Sequence, residues 1–319
     1  MSLQGRSALD TMPSPPDTVW LRIRRFAKRH DLNSNYLYIL PALAVYLFYV
    51  VWPVISVFRD SLYDWDGIHK ERTFIGLGNF QELIFQDHIF RGAIKNNVIW
   101  AVVTIGVMLT FGFLLAYLLN QNLRLRTLYR TCIFLPLTAS AVVVGLAWNN
   151  IYHPDIGLLN TTLRSLGLGS LAKVWLGDAD WALYAILVAA IWQGMGSWVV
   201  IYLASLQSIP SELFEAAMID GANGFQRMWY VAIPLVQGTT RSLLILGAIG
   251  SVGAFGLPYL MTRGGPYHAT EMMALRIFDL AFVLHRTGYS SAVSVLLVLI
   301  AGALTVLQLR GYKGAALGE

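Results

Sequence analysis

Six stretches of this 319-residue chain each run for about twenty residues or more without a single Asp, Glu, Lys, Arg or His. They are Leu37–Phe58, Val98–Leu119, Thr131–Tyr152, Trp181–Leu206, Ser242–Met261 and Tyr289–Leu309. An α-helix rises about 1.5 Å per residue, so about 20 apolar residues cross the hydrocarbon core of a bilayer. Water is absent there, so the backbone must satisfy its own hydrogen bonds, which leaves helices or closed barrels. Barrel strands would alternate over about ten residues, and these runs do not. The pattern predicts an all-α integral membrane protein with six transmembrane helices. Composition agrees: 56% of residues are hydrophobic and 13% charged, against about 25% charged in a soluble domain.

The run "RIRRFAKRH" carries five Arg or Lys ahead of the first span. Such clusters stay on the cytoplasmic side and sit on anionic lipid. The first span is too long for a signal-peptide core and lacks a small-residue cleavage site. The expectation is therefore cytoplasmic N- and C-termini, supported by Arg124, Arg126 and Arg130 between spans two and three. A cytoplasmic tail over 1–36 precedes a six-helix transmembrane domain over 37–309, and a cytoplasmic tail follows over 310–319. The sequence pI of about 9.3 then reflects topology, and no nucleic-acid partner is expected. Cys132, the single cysteine, excludes an internal disulfide and a multi-cysteine metal site; within span three it reads as a small buried hydrophobe.

Between spans four and five, residues 207–236 form a charged island, "ELFEAAMIDGANGFQRMWYVAIP" from Glu212 onward. With the N-terminus inside, this loop is cytoplasmic. Ser208 is a candidate cap and Pro210 suits a first helical turn. Gly221 is the natural break, because glycine enters left-handed backbone freely. Asn223 with Gln226 fits an N-cap and its capping-box partner, and Pro234 is expected to end the second helix. The prediction is a helix-turn-helix. Elsewhere, the segment between spans one and two is long enough for a short interfacial helix. A Gly-Pro loop and a possible short helix follow span five.

The order Glu215-Ala216-Ala217, Asp220-Gly221-Ala222, Val231-Ala232-Ile233-Pro234 resembles the "EAA" coupling loop of permease subunits in bacterial ABC importers. Val231 and Ile233 replace the family's Ile and Leu, and Met228 sits where an aromatic is common. "GLGNF" at 76–80, "YRTCIFLP" at 129–136, "DIGLLN" at 155–160 and "RGGPYHAT" at 263–270 are similar to the maltose-type, carbohydrate-importing branch. The resemblance covers the chain from about residue 36 onward. It implies a second homologous permease subunit, a cytoplasmic ATPase dimer and an external solute-binding protein. It also implies a carbohydrate or polyol-phosphate substrate and a multi-pass location in the bacterial or archaeal cytoplasmic membrane. Glu215, Ala216, Ala217, Asp220, Gly221 and Pro234 become the ATPase-coupling residues, with "RGGPYHAT" on the outer face toward the binding protein.

The chain lacks the parts of an enzyme. No Gly-Lys dipeptide occurs, so there is no P-loop, and no Gly-x-Ser-x-Gly elbow is present. No cofactor or metal is expected in the chain itself; ATP and Mg²⁺ belong to the partner ATPases. No Asp, Glu or His lies in a span to relay protons. That weighs against a stand-alone secondary carrier, one alternative; a membrane scaffold recruiting a cytosolic partner is the other. Asn149, Asn150, Trp192 and Gln193 are candidate substrate contacts, since amides and aromatic faces suit sugars. The same residues equally serve as interhelical bonds and interfacial aromatics. Gly250, Gly253, Gly256 and Pro258 suggest either a bent, pathway-lining fifth span or plain close packing.

Overall fold

A computed structural model describes residues 35–316. The basic run and the rest of the N-terminal tail to residue 34 lie outside the described residues, as do 317–319. The chain divides into two compact units, Met1–Ser56 and Val57–Glu319. In the first, α1 (Asn35–Tyr46) continues through a π-helical turn at Leu47–Val51 into α2 (Trp52–Asp60). Tyr38–Asp60 forms a 23-residue apolar helix with its aliphatic and aromatic side chains exposed over most of its length.

The second unit is helical apart from a two-residue antiparallel pairing of Tyr63–Asp64 with Thr73–Phe74. A short helix, α3 (Gly78–Phe85), occupies the segment expected to hold one. Two long helices form the centre: α4 (His88–Leu119) and α8 (Ala182–Gln207) pack along one another. Small residues allow the close approach. A Cβ on Gly112 of α4 would stand 3.1 Å from Trp198 Cβ on α8; Gly196 does the same for the next helix, Arg126–Thr138, where a Cβ would stand 2.7 Å from the carbonyl oxygen of Ile133. Phe113, Tyr117, Trp198, Tyr202, Leu206 and Leu243 fill one buried cluster. Trp100, Tyr152, Leu183, Ile186, Leu257 and Leu275 fill a second. In lipid such cores are held by van der Waals fit, because lipid tails are as apolar as the side chains.

Four described helices are long and apolar enough to cross a bilayer, and six segments qualify if each of two bent pairs counts as one span. Span three, expected as one helix over Thr131–Tyr152, is instead α5 (Arg126–Thr138) and α6 (Ala141–Ile151), bent by 104°. Pro136 lies in the last turn of α5, and Ser140 caps α6 by accepting from the Val143 amide. A new N-cap two residues after a helix end starts a second helix in a new direction. Between α6 and α8 lies α7 (Leu158–Ser165).

Span five also differs from the expected Ser242–Met261. The second bent pair is Gly224–Leu235 with α12 (Gln237–Val252), turned by 66°; α12 then stops at Gly253, and α13 (Gly256–Thr262) starts after Phe255. Sixteen residues rise only about 24 Å, short of a bilayer core. The last two helices are α14 (Met273–Phe278) and α15 (Thr287–Ala316). The latter runs past the expected end at Leu309. Cys132, expected to be buried, is exposed, because its face of α5 points away from α8.

Candidate functional site

The 207–236 loop forms two short helices, α9 (Ser211–Ile219) and α10 (Gly224–Arg227), with a turn between them. Helix α8 runs to Gln207, so Ser208 sits at its C-terminal end and donates to the Ser205 carbonyl. It does not cap α9, where Pro210 takes the N-cap position instead. Gly221 has φ +81°, the left-handed backbone foreseen for it. Ala222 donates to the Ala217 carbonyl across the turn at 2.9 Å, the 6→1 bond of a helix ending on glycine. The capping box is complete: Gln226 N–H donates to Asn223 Oδ1 at 2.9 Å, and Asn223 N–H to Gln226 Oε1 at 2.8 Å.

Pro234 does not stop the second helix. The helical path continues through a π turn at Met228–Ala232 and α11 (Ile233–Leu235), and ends at Val236. Proline clashes with the carbonyl four residues back, and the π turn shifts that bond: Ile233 N–H donates to Met228 O, five residues earlier.

One bond fastens this loop to α4, and two more tie the first turn of α12, just after the loop, to α8. Tyr117 Oη donates to the Gly224 carbonyl at 3.1 Å, Tyr202 Oη to Thr240 Oγ1 at 3.0 Å, and Thr239 Oγ1 to Ser205 Oγ at 2.7 Å. Phe214, Met228 and Ile233 pack against the core cluster. With those side chains turned in, Glu215, Ala216, Asp220, Gly221 and Pro234 are exposed and Ala217 is half-buried. Around them Met218, Ile219, Phe225, Trp229 and Tyr230 are also exposed. The Phe225 and Trp229 rings stack at 6.2 Å. The result is a fixed peg with three exposed carboxylates, Glu212, Glu215 and Asp220, set among uncovered apolar side chains.

The two breaks border two cavities between the long helices, of about 340 and 360 Å³. Trp100, Ala190 and Gly250 line both. The first adds Thr104, Ser197 and Trp198; the second adds Gln193, Gly256 and Pro258. Every lining residue is uncharged. Of the expected pathway residues, Gln193, Gly250, Gly256 and Pro258 therefore meet at one cavity, while Asn149, Asn150 and Trp192 do not line it. Asn150 is exposed and donates to the Leu146 carbonyl of its own helix; Asn149 Oδ1 is buried without a partner. Trp192 stands edge-on to Trp148 at 5.8 Å. A Cβ on Gly250 or Gly253 would meet nothing within 4 Å, so neither glycine serves packing.

At the end opposite the peg, buried polar groups tie the loops together. Asp87 caps α4 by accepting from the Phe90 amide, and its Oδ2 accepts from Arg276 at 3.1 Å and Tyr289 Oη at 2.9 Å. Burial works against the Asp87 charge, but these donors outweigh it and hold the carboxyl below its ordinary range. Glu271, 1% exposed, faces the His268 ring at 3.0 Å. Burial pushes its carboxyl up against the opposing pull of that ring. Asn96 Nδ2 donates to the Ala269 and Glu271 carbonyls. Asn160 does the same for Pro154 and Lys173 and accepts from Trp175 Nε1. Asn79 donates to the Ser61 and Tyr63 carbonyls.

Asn96 and Asn97 escaped the sequence reading because they precede Val98, where the uncharged run starts. Two adjacent amides on the edge of an apolar run were the available signal.

This arrangement has known counterparts. Residues 108–311 match the family described as "Binding-protein-dependent transport system inner membrane component". The chain belongs to that family. A probable ABC transporter permease, YurN of Bacillus subtilis, is 35% identical over 88% of this chain and 98% of its own length. The sn-glycerol-3-phosphate transport system permease UgpA of Agrobacterium fabrum is 32% identical over 86% and 93%. The lactose transport system permease LacF of Rhizobium radiobacter is 32% identical over 89% and 96%. In fold, the chain superposes on a bacterial ABC transporter that imports alginate with a TM-score of 0.79, at 23% identity over 92% of this chain and 98% of that one. This binding-protein-dependent permease is thus an ABC transporter component with membrane-spanning helices, and its family is one of transport subunits, not enzymes.

Proposed function

We propose that the chain forms one half of the pathway of an importer for an uncharged carbohydrate, driven by separate ATPase subunits through the 211–236 peg. The observation that carries this is the peg itself. A capped, bolted pair of short helices holds Glu215 and Asp220 out, among uncovered apolar side chains. Such a surface suits a groove on a partner, where a carboxylate gains charge-assisted bonds in a partly dry contact. The peg is then cytoplasmic, with the N-terminus on the same side, and the "RGGPYHAT" loop faces the binding protein.

The choice of an uncharged solute is supported by the cavities, whose lining is tryptophan, hydroxyl, amide and glycine without a charge. UgpA is named for a phosphate ester and LacF for a neutral sugar. An anion withdrawn from water needs a paired cation or several donors, and this half of the pathway offers one amide and three hydroxyls.

The test is reconstitution with a partner permease, the ATPase pair and the binding protein. The measured quantities are uptake and solute-stimulated ATP hydrolysis for an uncharged disaccharide and for glycerol 3-phosphate. Uptake by this chain alone would overturn the subunit reading. Undiminished coupling in both Glu215→Ala and Gly221→Pro would overturn the role of the peg, and preference for glycerol 3-phosphate would overturn the solute class.

A further inference from the structure

Where a helix stops inside a membrane, its last carbonyls lose their i+4 donors and no water replaces them. Both broken spans meet that problem, and both meet it with one amide side chain from a long central helix. At the first break, Gln193 Nε2 on α8 donates to the Ala139 carbonyl at 3.0 Å. At the second, Asn97 Nδ2 on α4 donates to the Ser251 carbonyl at 2.8 Å and, more weakly, to Val252 at 3.4 Å. Asn97 is 8% exposed, and its Oδ1 accepts from the Met273 amide at 2.9 Å, which also ties the start of α14 to this point.

The two breaks are not independent. Leu137 and Ala141 flank the first, Gly250 and Ala254–Pro258 flank the second, and all of these line the 360 Å³ cavity with Gln193. The half-helices beyond the breaks, α6 and α13, pack on each other: a Cβ on Gly145 would stand 3.2 Å from Leu260 Cβ, and one on Gly256 3.6 Å from Ala141 Cβ. One packed pair of half-helices is therefore joined to the scaffold α4–α8 through two non-helical links, each pinned by a single amide. A residue serving only to fill space would not aim its amide at the carbonyls of a helix break.

We infer that Gln193 and Asn97 are positioning residues that hold the α6–α13 pair at its resting angle over the cavity, and that the pair swivels at 139–140 and 253–255 when the pathway changes access. This rests on the transport reading above. Each pin is one neutral amide, whose hydrogen bonds are strong enough to set the resting state and weak enough to be exchanged during a cycle.

The experiment uses the assembled importer with Cys132→Ser and spin labels at Leu146→Cys on α6 and Val188→Cys on α8, both exposed sites. The interspin distance is read with and without ATP, alongside ATP hydrolysis in the absence of binding protein. The unmutated pin should give one distance population without nucleotide. Gln193→Leu and the similarly sized Gln193→Met, which cannot donate, should add a second. They should also raise hydrolysis without binding protein about tenfold, the factor corresponding to about 1.4 kcal/mol from one lost buried bond. Gln193→His, which restores a donor, should return both readings toward the original. Asn97→Leu should act in the same direction, with Asn97→His as its rescue.

A Leu or Met variant that assembles with unchanged distance and unchanged basal hydrolysis overturns the inference, as does failure of the histidine to rescue. If the unsubstituted importer neither takes up solute nor changes distance with ATP, the transport reading fails instead.

Discussion

The two ends of the helix bundle treat their polar residues in opposite ways. At the Pro266 end, Asn79, Asn96, Asn160 and Glu271 are buried and Asp87 is half-buried, and each bonds to a loop, a helix end or a neighbouring side chain. At the Gly221 end, Glu215 and Asp220 are exposed, and the bonds that matter anchor the backbone beneath them. The first arrangement makes one shape and resists change. The second makes a fixed surface with its charges unspent. Two short motifs of "GLGNF" and "DIGLLN" type and the "EAA" loop therefore have different tasks: Asn79 and Asn160 build the scaffold, whereas Glu215 is free for a partner.

Substitutions should separate the two ends by size of effect. The largest is expected for Asp87→Ala, which strands Arg276, only 9% exposed, without its carboxylate. Losing one partner of such a pair costs about 3–5 kcal/mol, read as a fall in the unfolding midpoint in detergent. The Asp87 carboxyl sits lower in the folded chain than its ordinary 3.8. Its contribution is therefore full above that value and is lost as pH falls through the lower folded value; Asp87→Ala should flatten this acid limb.

Next comes Asn160→Ala, which leaves two carbonyls and the Trp175 N–H short of a partner and should cost about 1–3 kcal/mol. At the peg end, Asn223→Ala removes the capping box and should cost about 1 kcal/mol. The smallest effect belongs to Glu215→Ala, within about 0.5 kcal/mol in stability, while ATP hydrolysis coupled to uptake collapses. A Glu215→Ala variant as unstable as Asp87→Ala would erase the contrast between the ends.

The sequence reading reached the features that depend on local chemistry. Gly221 and the Asn223–Gln226 box are encoded within a few residues, and both occur as expected. Uncharged length located the long helices, but length carries no direction. Nothing in "TCIFLPLTASAVVVGLAWNNIY" distinguishes a straight span from one turned through 104°; Pro136 and Ser140 are the only punctuation. The exposure of Cys132 depends on which face of α5 meets α8, which periodicity in an all-apolar run cannot encode. The pins are equally invisible. Gln193 was read as touching solute or a neighbouring helix, and its partner, the Ala139 carbonyl, exists as an orphan only because the span breaks.

The two π turns that precede prolines carry a last consequence. Tyr49-Val50-Val51-Trp52-Pro53 and Tyr230-Val231-Ala232-Ile233-Pro234 share the spelling Tyr-Val-x-x-Pro. In both, the residue before proline reaches back five positions, Trp52 to Leu47 and Ile233 to Met228. A π turn holds one residue more than the helix around it, so each site is a single-residue insertion that the fold has absorbed. Deleting one residue there would restore ordinary pitch and rotate everything after it by about 100°. At Met228–Ala232 that rotation would turn the end of the peg away from α12. The length of this segment, and not its composition alone, is thus under constraint, and a sequence one residue shorter would align well while pointing its side chains the wrong way.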